Sequence, residues 1–276
     1  MAIDQGTTGT RAILYDARGR AAGSAYREFR QYFPRPGWVE HDPTEIWEST
    51  LAVVRGAMRQ AGAASGRLAA IGITNQRETV VLWDRKTGRP ACPALVWQDR
   101  RGAELCAEHS RQGLGPLIRR RTGLVLDPYF SGSKLQWLFR ERKDLLRRAR
   151  SGGLLFGTID SWLLWKLTGG AVHATDLTNA SRTLLFDIGR ERWDEELLEF
   201  FGVPAAVLPR ALPSGGRFGA SAAQGGLAAG IPVTAVLGDQ QAALYGQSCH
   251  GPGGVKNTYG TGCFLMANIG PKRRPA

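Results

Sequence analysis

The sequence predicts an α/β domain, a mixed sheet flanked by helices. Three stretches predict it. At the start, Ala2-Ile3-Asp4-Gln5 is an apolar stub ending in polar residues, Gly6-Thr7-Thr8-Gly9 is a turn, and Thr10 to Tyr15 is a second apolar run. That pattern is a hairpin with a carboxylate at the exit of its first strand. Next, Asp42 and Pro43 precede Ile46, Trp47, Leu51, Val54, Ala57, Met58 and Ala61, which share one helical face. Asp42 suits the N-cap, and Pro43 suits N1, where its missing N–H costs nothing. Finally, Ile231 to Leu237 is a buried strand that ends at Gly238, with Asp239 at its exit and a helix behind it.

The other elements can be placed in chain order. Ala21 to Phe29 continues the first hairpin as a third strand, giving an antiparallel meander. Gly62 to Gly66 stops the first helix. Leu68 to Thr74 is a short buried strand, and Thr79 to Trp83 a second one before the Asp84-to-Gly88 turn. Arg100 to Gln112 and the segment from Ser133 read as helices. Lys143 to Arg150 is a charged helix with a solvated face. Gly157 to Gly169 is a capped amphipathic helix with Asp160 as N-cap. His173 to Thr183 supplies loop and capping chemistry. Glu195 to Phe201 is a short helix ending at Gly202. Pro209 to Gly230 is a loop rich in Gly, Ala and Pro, and Val255 to Met266 is a second strand–turn–strand unit that echoes the first.

Several residues carry chemistry. Gly6 and Gly9 allow positive φ, so the first turn can aim backbone N–H groups outward. With Thr7, Thr8, Thr10 and Arg11 it offers donors for phosphate oxygens. Asp4 is acceptor-only at neutral pH and suits Mg²⁺, directly or through water. The same residues also describe an ordinary Gly/Thr hairpin. Arg77 and Glu78 come after a strand end, where α/β sheets place ligands. The arginine can donate to one hydroxyl while the glutamate accepts from another, and a surface ion pair is the plainer reading. Trp97 can pack on the carbon backbone of a small polyol, or sit in a core. Tyr129 is a hydrogen-bonding phenol or a partly buried core residue. Asp239 can take the proton of an attacking hydroxyl, and its position also fits an N-cap.

Asp4 to Arg11, Gly37 to Pro43, Asn75 to Glu78, Asp127 to Trp137, Asp176 to Ser181 and Gly238 to Phe264 resemble the FGGY carbohydrate kinases, and their glycerol kinase branch in particular. Tyr129, Ser131, Lys134 and Trp137 stand at the spacing of that family's first signature. The resemblance implies an RNase H-like fold of the actin/Hsp70/hexokinase superfamily. It implies ATP-dependent phosphorylation of glycerol to glycerol 3-phosphate, with ATP and Mg²⁺ as cofactors. By resemblance Asp239 is the catalytic base. Arg77, Glu78, Trp97, Tyr129, Asp239, Gln240 and Phe264 hold glycerol. Thr7, Thr8, Gly9, Arg11, Gly260 and Thr261, with Gly262, serve the nucleotide phosphates, and Asp4 and Asp239 serve the metal. Residues 1–246 correspond to the family's N-terminal, glycerol-binding domain. Residues 247–276 correspond to the first hairpin of a second, nucleotide-binding domain of similar fold, most of which this chain lacks.

That missing part sets expectations. Closure of two domains around Mg-ATP and acceptor brings phosphate and hydroxyl into line. A chain with one domain and a hairpin lacks half of that clamp. The short first strand leaves Asp4 on a frayed edge, and the lone hairpin is an aggregation liability. Homo-oligomers are expected of full-length relatives. Two other readings stand beside the first. One is a family kinase acting on another polyol or sugar; the other is a truncated or split half that binds polyol without catalysis.

Composition adds limits. Of 276 residues, 43% are hydrophobic and 22% charged, the balance of a soluble globular protein. No stretch is long and apolar enough to span a bilayer, and no signal peptide is evident. Cys92, Cys106, Cys249 and Cys263 have no metal-type spacing and read as free buried thiols of a reducing cytoplasm. The net charge of +12 comes mostly from arginines spread along the chain, without aromatic-interleaved basic motifs. It is read as compositional, with no nucleic-acid partner.

Overall fold

The computed structural model describes residues 1–271. A six-stranded mixed sheet is its backbone, in the order Gly215–Ala220, Pro232–Gly238, Ile71–Asn75, Ala2–Gln5, Gly9–Tyr15, Ala21–Glu28. The three middle strands, Pro232–Gly238, Ile71–Asn75 and Ala2–Gln5, run parallel, and both flanks are antiparallel. The first strand is therefore central. The expected frayed edge is wrong, because Ala2–Gln5 is hydrogen-bonded on both sides and the Met1 amino group donates to Ala70 O at 2.8 Å.

The predicted meander and first helix form as expected. The helix spans Pro43–Gln60, and the Asp42 carboxylate accepts from Thr44 N at 2.7 Å. It lies across the meander, with Ile46, Val53, Val54 and Ala57 buried. Gly23 makes this approach possible, since a Cβ there would stand 2.3 Å from Ala57 O.

A second body of helices sits beyond the ribbon of Val81–Asp84 and Leu154–Gly157. This ribbon is apolar on both faces. Val81, Trp83 and Leu155 face the core under the large sheet, whereas Val80, Leu82, Leu154 and Phe156 face the core of the helices Ser131–Glu141, Lys143–Arg150 and Glu195–Phe201. Leu145 and Ala149 give the charged Lys143–Arg150 helix a buried side.

Four expectations need correction. Neither Gly6 nor Gly9 has positive φ. The turn is closed instead by Gly6 N donating to Gly9 O at 2.9 Å. Gly9 is needed for close approach, because a Cβ there would lie 2.5 Å from the Tyr26 hydroxyl. The 209–230 loop contains the strands Arg210–Leu212 and Gly215–Ala220, the latter irregular in register between Gly215 and Gly219. Asp160 is not an N-cap: Thr158 occupies that position, Asp160 is inside the Ile159–Leu167 helix, and that helix is buried on nearly every side. The thiols differ too. Cys106 is buried, Cys263 is exposed and Cys92 and Cys249 lie between. Burial pushes the Cys92 thiol up to about 12 and Cys106 to about 11, so neither is a thiolate at neutral pH.

Candidate active site

The three parallel strands end level. Gln5 pairs with Asn75, and Asn75 pairs with Gly238. The segments leaving these strands are therefore delivered to one edge: Gly6-Thr7-Thr8, Gln76-Arg77-Glu78 and Asp239-Gln240. This is the carboxyl end of a parallel sheet, where α/β folds hold ligands. A cavity of about 250 Å³ opens there.

One wall is polar. Arg77 and Glu78 are buried, and they do not form the surface pair that a dipeptide suggests. Arg77 Nε stands 3.0 Å from Asp239 Oδ1, at an angle that falls short of a hydrogen bond and leaves this buried N–H without an aligned acceptor. Burial works against the Arg77 charge, but Glu78 and Asp239 outweigh it and hold the guanidinium firmly protonated. Gly238 permits this packing, since a Cβ there would meet Arg77 Cδ at 2.6 Å. Glu78 sits at φ 62°, a conformation that costs on the order of 1 kcal/mol for a residue with a side chain. Asp239 is the first residue of the Asp239–Gly246 helix, and Gly238 is the cap. Its Oδ1 accepts from Gln240 N at 2.7 Å and its Oδ2 from Gln240 Nε2 at 3.2 Å.

The other wall is aromatic. Trp97 makes edge contacts with Tyr129 at 5.6 Å and Phe264 at 6.1 Å between ring centroids. Its indole N–H donates to Thr7 Oγ1 at 2.9 Å, which ties the aromatic wall to the first turn. Burial, then the Glu78 charge, pushes the Tyr129 phenol up, so it stays a hydrogen-bond donor. Thr7 and Thr8 face Gly260, Thr261 and Gly262 of the second turn across the opening.

The remaining predicted residues lie apart. Gly9 is buried beneath Tyr26, and Arg11 is exposed on the sheet with its guanidinium over the same ring at 5.4 Å. Neither lines the cavity. Asp4 also stands outside it, solvent-accessible beside Arg11 in the ladder. The surrounding protein and the charge of Asp239 raise its pKa, against the pull of Arg11. Among the described residues no group of three or more His, Cys, Asp or Glu could cage a metal. Asp4 and Asp239 are the carboxylates at this edge that could help hold Mg²⁺, a cation that takes one or two carboxylates and keeps its other ligands as water and phosphate.

Sequence reasoning missed the residues that hold this set in place. Arg182 Nε donates to Glu78 Oε1 at 2.7 Å, and its guanidinium lies over Tyr129 and Phe130. Lys134 is fully buried and donates to the carbonyls of Pro128 and Tyr129, both at 2.6 Å, so it fixes the loop that presents Tyr129. Burial lowers its pKa to about 8. Lys256 is buried against Gln240. Lys134 stands in the signature spacing, and Arg182 and Lys256 lie in segments that resemble the family without being singled out.

A buried polar network braces the strand ends from behind. Asn75 and Asn179 exchange amide hydrogen bonds at 3.0 and 3.1 Å. Asp176 accepts from Asn179, Thr178 and Ser214, and Thr178 Oγ1 accepts from Gly238 N at 2.8 Å. Asp160 accepts from Thr175 at 2.6 Å and from Thr158. Burial, then the Asp176 charge, raises its pKa to about 7. The folded chain thus holds a proton that the unfolded chain has released above about pH 4. This contribution to stability is full below that pH and is lost as pH rises to about 7. We expect the stability of the native chain minus that of Asp160→Asn to fall by a few kcal/mol between about pH 4 and 8 in urea titrations. A flat difference would mean that the carboxyl is charged throughout.

Comparison with known proteins gives the family and the fold. The FGGY family of carbohydrate kinases, N-terminal domain, matches residues 1–246. The chain is 58% identical to the glycerol kinase of Alcanivorax borkumensis over 270 residues, which is 98% of this chain and 54% of the relative. It is 53% identical to that of Symbiobacterium thermophilum over 276 residues, covering 55% of the relative. It spans about half the length of the curated relatives it matches. Among solved structures, Plasmodium falciparum glycerol kinase with ADP superposes with a TM-score of 0.89 at 37% identity, over 95% of this chain and 53% of that one. The xylulose kinase of Rhodospirillum rubrum gives 0.86 at 25%, again over 95% and 53%. No helix among the described residues is long and apolar enough to cross a membrane. With the match running from the first strand through the helix behind Asp239, the chain belongs to the FGGY family of carbohydrate kinases.

Proposed function

We propose that this chain binds glycerol and supplies the acceptor half of an ATP-dependent glycerol phosphorylation. The observation that carries the reading is the two-faced cavity, with Arg77, Glu78, Asp239 and Gln240 on one side and Trp97, Tyr129 and Phe264 on the other. Such a wall pair takes a small polyol, carbons on the rings and hydroxyls on the charges. Glycerol kinases at 53–58% identity support the choice of acceptor, and the ADP complex of the Plasmodium enzyme supports the choice of donor.

Asp239 accepts the proton of the attacking hydroxyl, whose oxygen bonds to the γ-phosphorus as ADP leaves. No covalent enzyme intermediate is needed, because positioning and charge neutralisation carry phosphoryl transfer. Thr7, Thr8 and Thr261 donate to phosphate oxygens from the two turns, with Gly260 shaping the second turn through its N–H to Gly262 O and Arg11 farther out. Asp4 and Asp239 would hold Mg²⁺, which when bound would neutralise phosphate charge. Residues 1–246 are the acceptor domain and 247–276 the opening of the nucleotide domain. The boundary is supported by the reach of the family match and by the hairpin Val255–Tyr259/Cys263–Ala267 forming a sheet of its own.

Glycerol at a hundredfold excess over Kd is expected to stabilise the chain by about 2.7 kcal/mol, a rise in Tm of roughly 5–10 °C. Thermal melts with glycerol, xylulose and erythritol test this. A rise with a pentulose alone would move the reading to another kinase of the family. No rise with any polyol would sink it.

A further inference from the structure

Lys256, already placed against Gln240, contacts the site through that amide. It lies on the Val255–Tyr259 strand, 2% exposed, on the hairpin face that also carries Thr258 and Phe264. Its ammonium donates to Gln240 Oε1 and to Thr258 Oγ1, the latter at 2.7 Å. A side-chain amide has one acceptor and one donor end. With Oε1 engaged by an ammonium, the NH₂ of Gln240 must point the other way, and it reaches Asp239 Oδ2 at 3.2 Å.

We propose that Lys256 is a positioning residue that locks the Gln240 amide with its NH₂ toward the site, and so sets the polarity of the hydroxyl that Asp239 receives. The inference rests on the polyol reading above. A hydroxyl lodged between Gln240 and Asp239 meets a donor on one side and an acceptor on the other. It must accept from Gln240 and direct its own proton to Asp239, the orientation in which that proton can be taken. Were the amide free to flip, the carbonyl end would compete for the same proton. Lys256 reaches this position from a different sheet, so the lock holds only while the hairpin is seated on the Asp239–Gly246 helix. Burial lowers the Lys256 pKa and the Asp239 charge opposes that fall; Arg77, the other cation here, lowers it further.

The test is a double-mutant cycle on the whole chain. Lys256→Met is expected to weaken glycerol binding about tenfold by calorimetry, the loss of one aligned hydrogen bond, and Lys256→Arg, which keeps a cationic donor on a larger planar head, to lose less than Lys256→Met. In a Gln240→Ala background the same lysine change should cost less than about twofold, because its effect passes through the amide. An undiminished loss there would overturn the proposal. Side-chain amide NMR gives a second readout independent of glycerol. The Gln240 NH₂ pair, assigned by its loss in Gln240→Ala, should be resolved in the native chain and collapse toward free-amide shifts in Lys256→Met. If the native chain binds no glycerol, the polyol reading fails while the NMR arm still decides the lock. An unchanged amide pair would refute it. Should the methionine variant not fold, Lys256→Gln takes its place with the same expectations.

Discussion

Asp239→Asn should leave the fold intact and hold glycerol within about tenfold of the native affinity, while any ATP-dependent formation of glycerol 3-phosphate falls about 10²–10⁴-fold. Asparagine keeps an oxygen where Oδ1 meets Gln240 N and Arg77 Nε, so the side chain can stay in place. It cannot take a proton at neutral pH. Arg77 would lose one of its two neighbouring negative charges but keep Glu78. A coupled assay for glycerol 3-phosphate, run beside glycerol calorimetry, separates the outcomes. Activity lost with affinity kept identifies a base. Both lost together would assign Asp239 to binding alone, and unchanged turnover would remove it from the chemistry.

The largest stability effect should come from Trp83→Ala. Trp83 is fully buried and stands 5.4 Å from the Trp162 and His173 rings and 6.2 Å from Trp165. Its indole N–H has no hydrogen-bond partner among the described residues, so the cost is one of packing. Emptying such a site costs about 3–5 kcal/mol, a fall in Tm of roughly 10 °C for a chain of this size. Trp83→Phe keeps most of the ring contacts and removes the unsatisfied donor, so it should cost less than half as much. Equal losses in the two variants, by urea titration, would mean that the cavity collapses around whatever remains.

The strand–turn–strand starts and the strand–acid–helix at 231–246 are readable in the sequence because each is a local pattern. Arg77, Glu78, Trp97, Tyr129, Asp239, Gln240 and Phe264 do converge on one cavity. The residues that hold them could not be read. Arg182 reaches Glu78 across 104 residues, and Lys256 reaches Gln240 from another sheet. Neither has a local signature. Leu154–Gly157 is a continuous apolar run, and such runs do not distinguish a buried strand from a helix by period. Gly215–Ala220 hides a strand behind glycines that mark an irregular register. The local pattern puts a helix cap at Asp160, two positions beyond the true cap at Thr158, because the partners that bury this acid lie elsewhere in the fold.

The level ends of the three parallel strands have a consequence for how this architecture tolerates change. Gln5, Asn75 and Gly238 are aligned by ladder hydrogen bonds, and in the long connection between Asn75 and Gly238 Thr178 and the buried Asn179 brace those ends while the surface turns do not. More than 150 residues separate Asn75 from Gly238 in sequence, yet insertions or deletions in the surface turns of that span should leave the cavity untouched. A single residue added within one of the strands would displace its catalytic segment by about 3.3 Å and turn each side chain beyond it to the opposite face. Length is thus free to drift between the strands and is fixed within them.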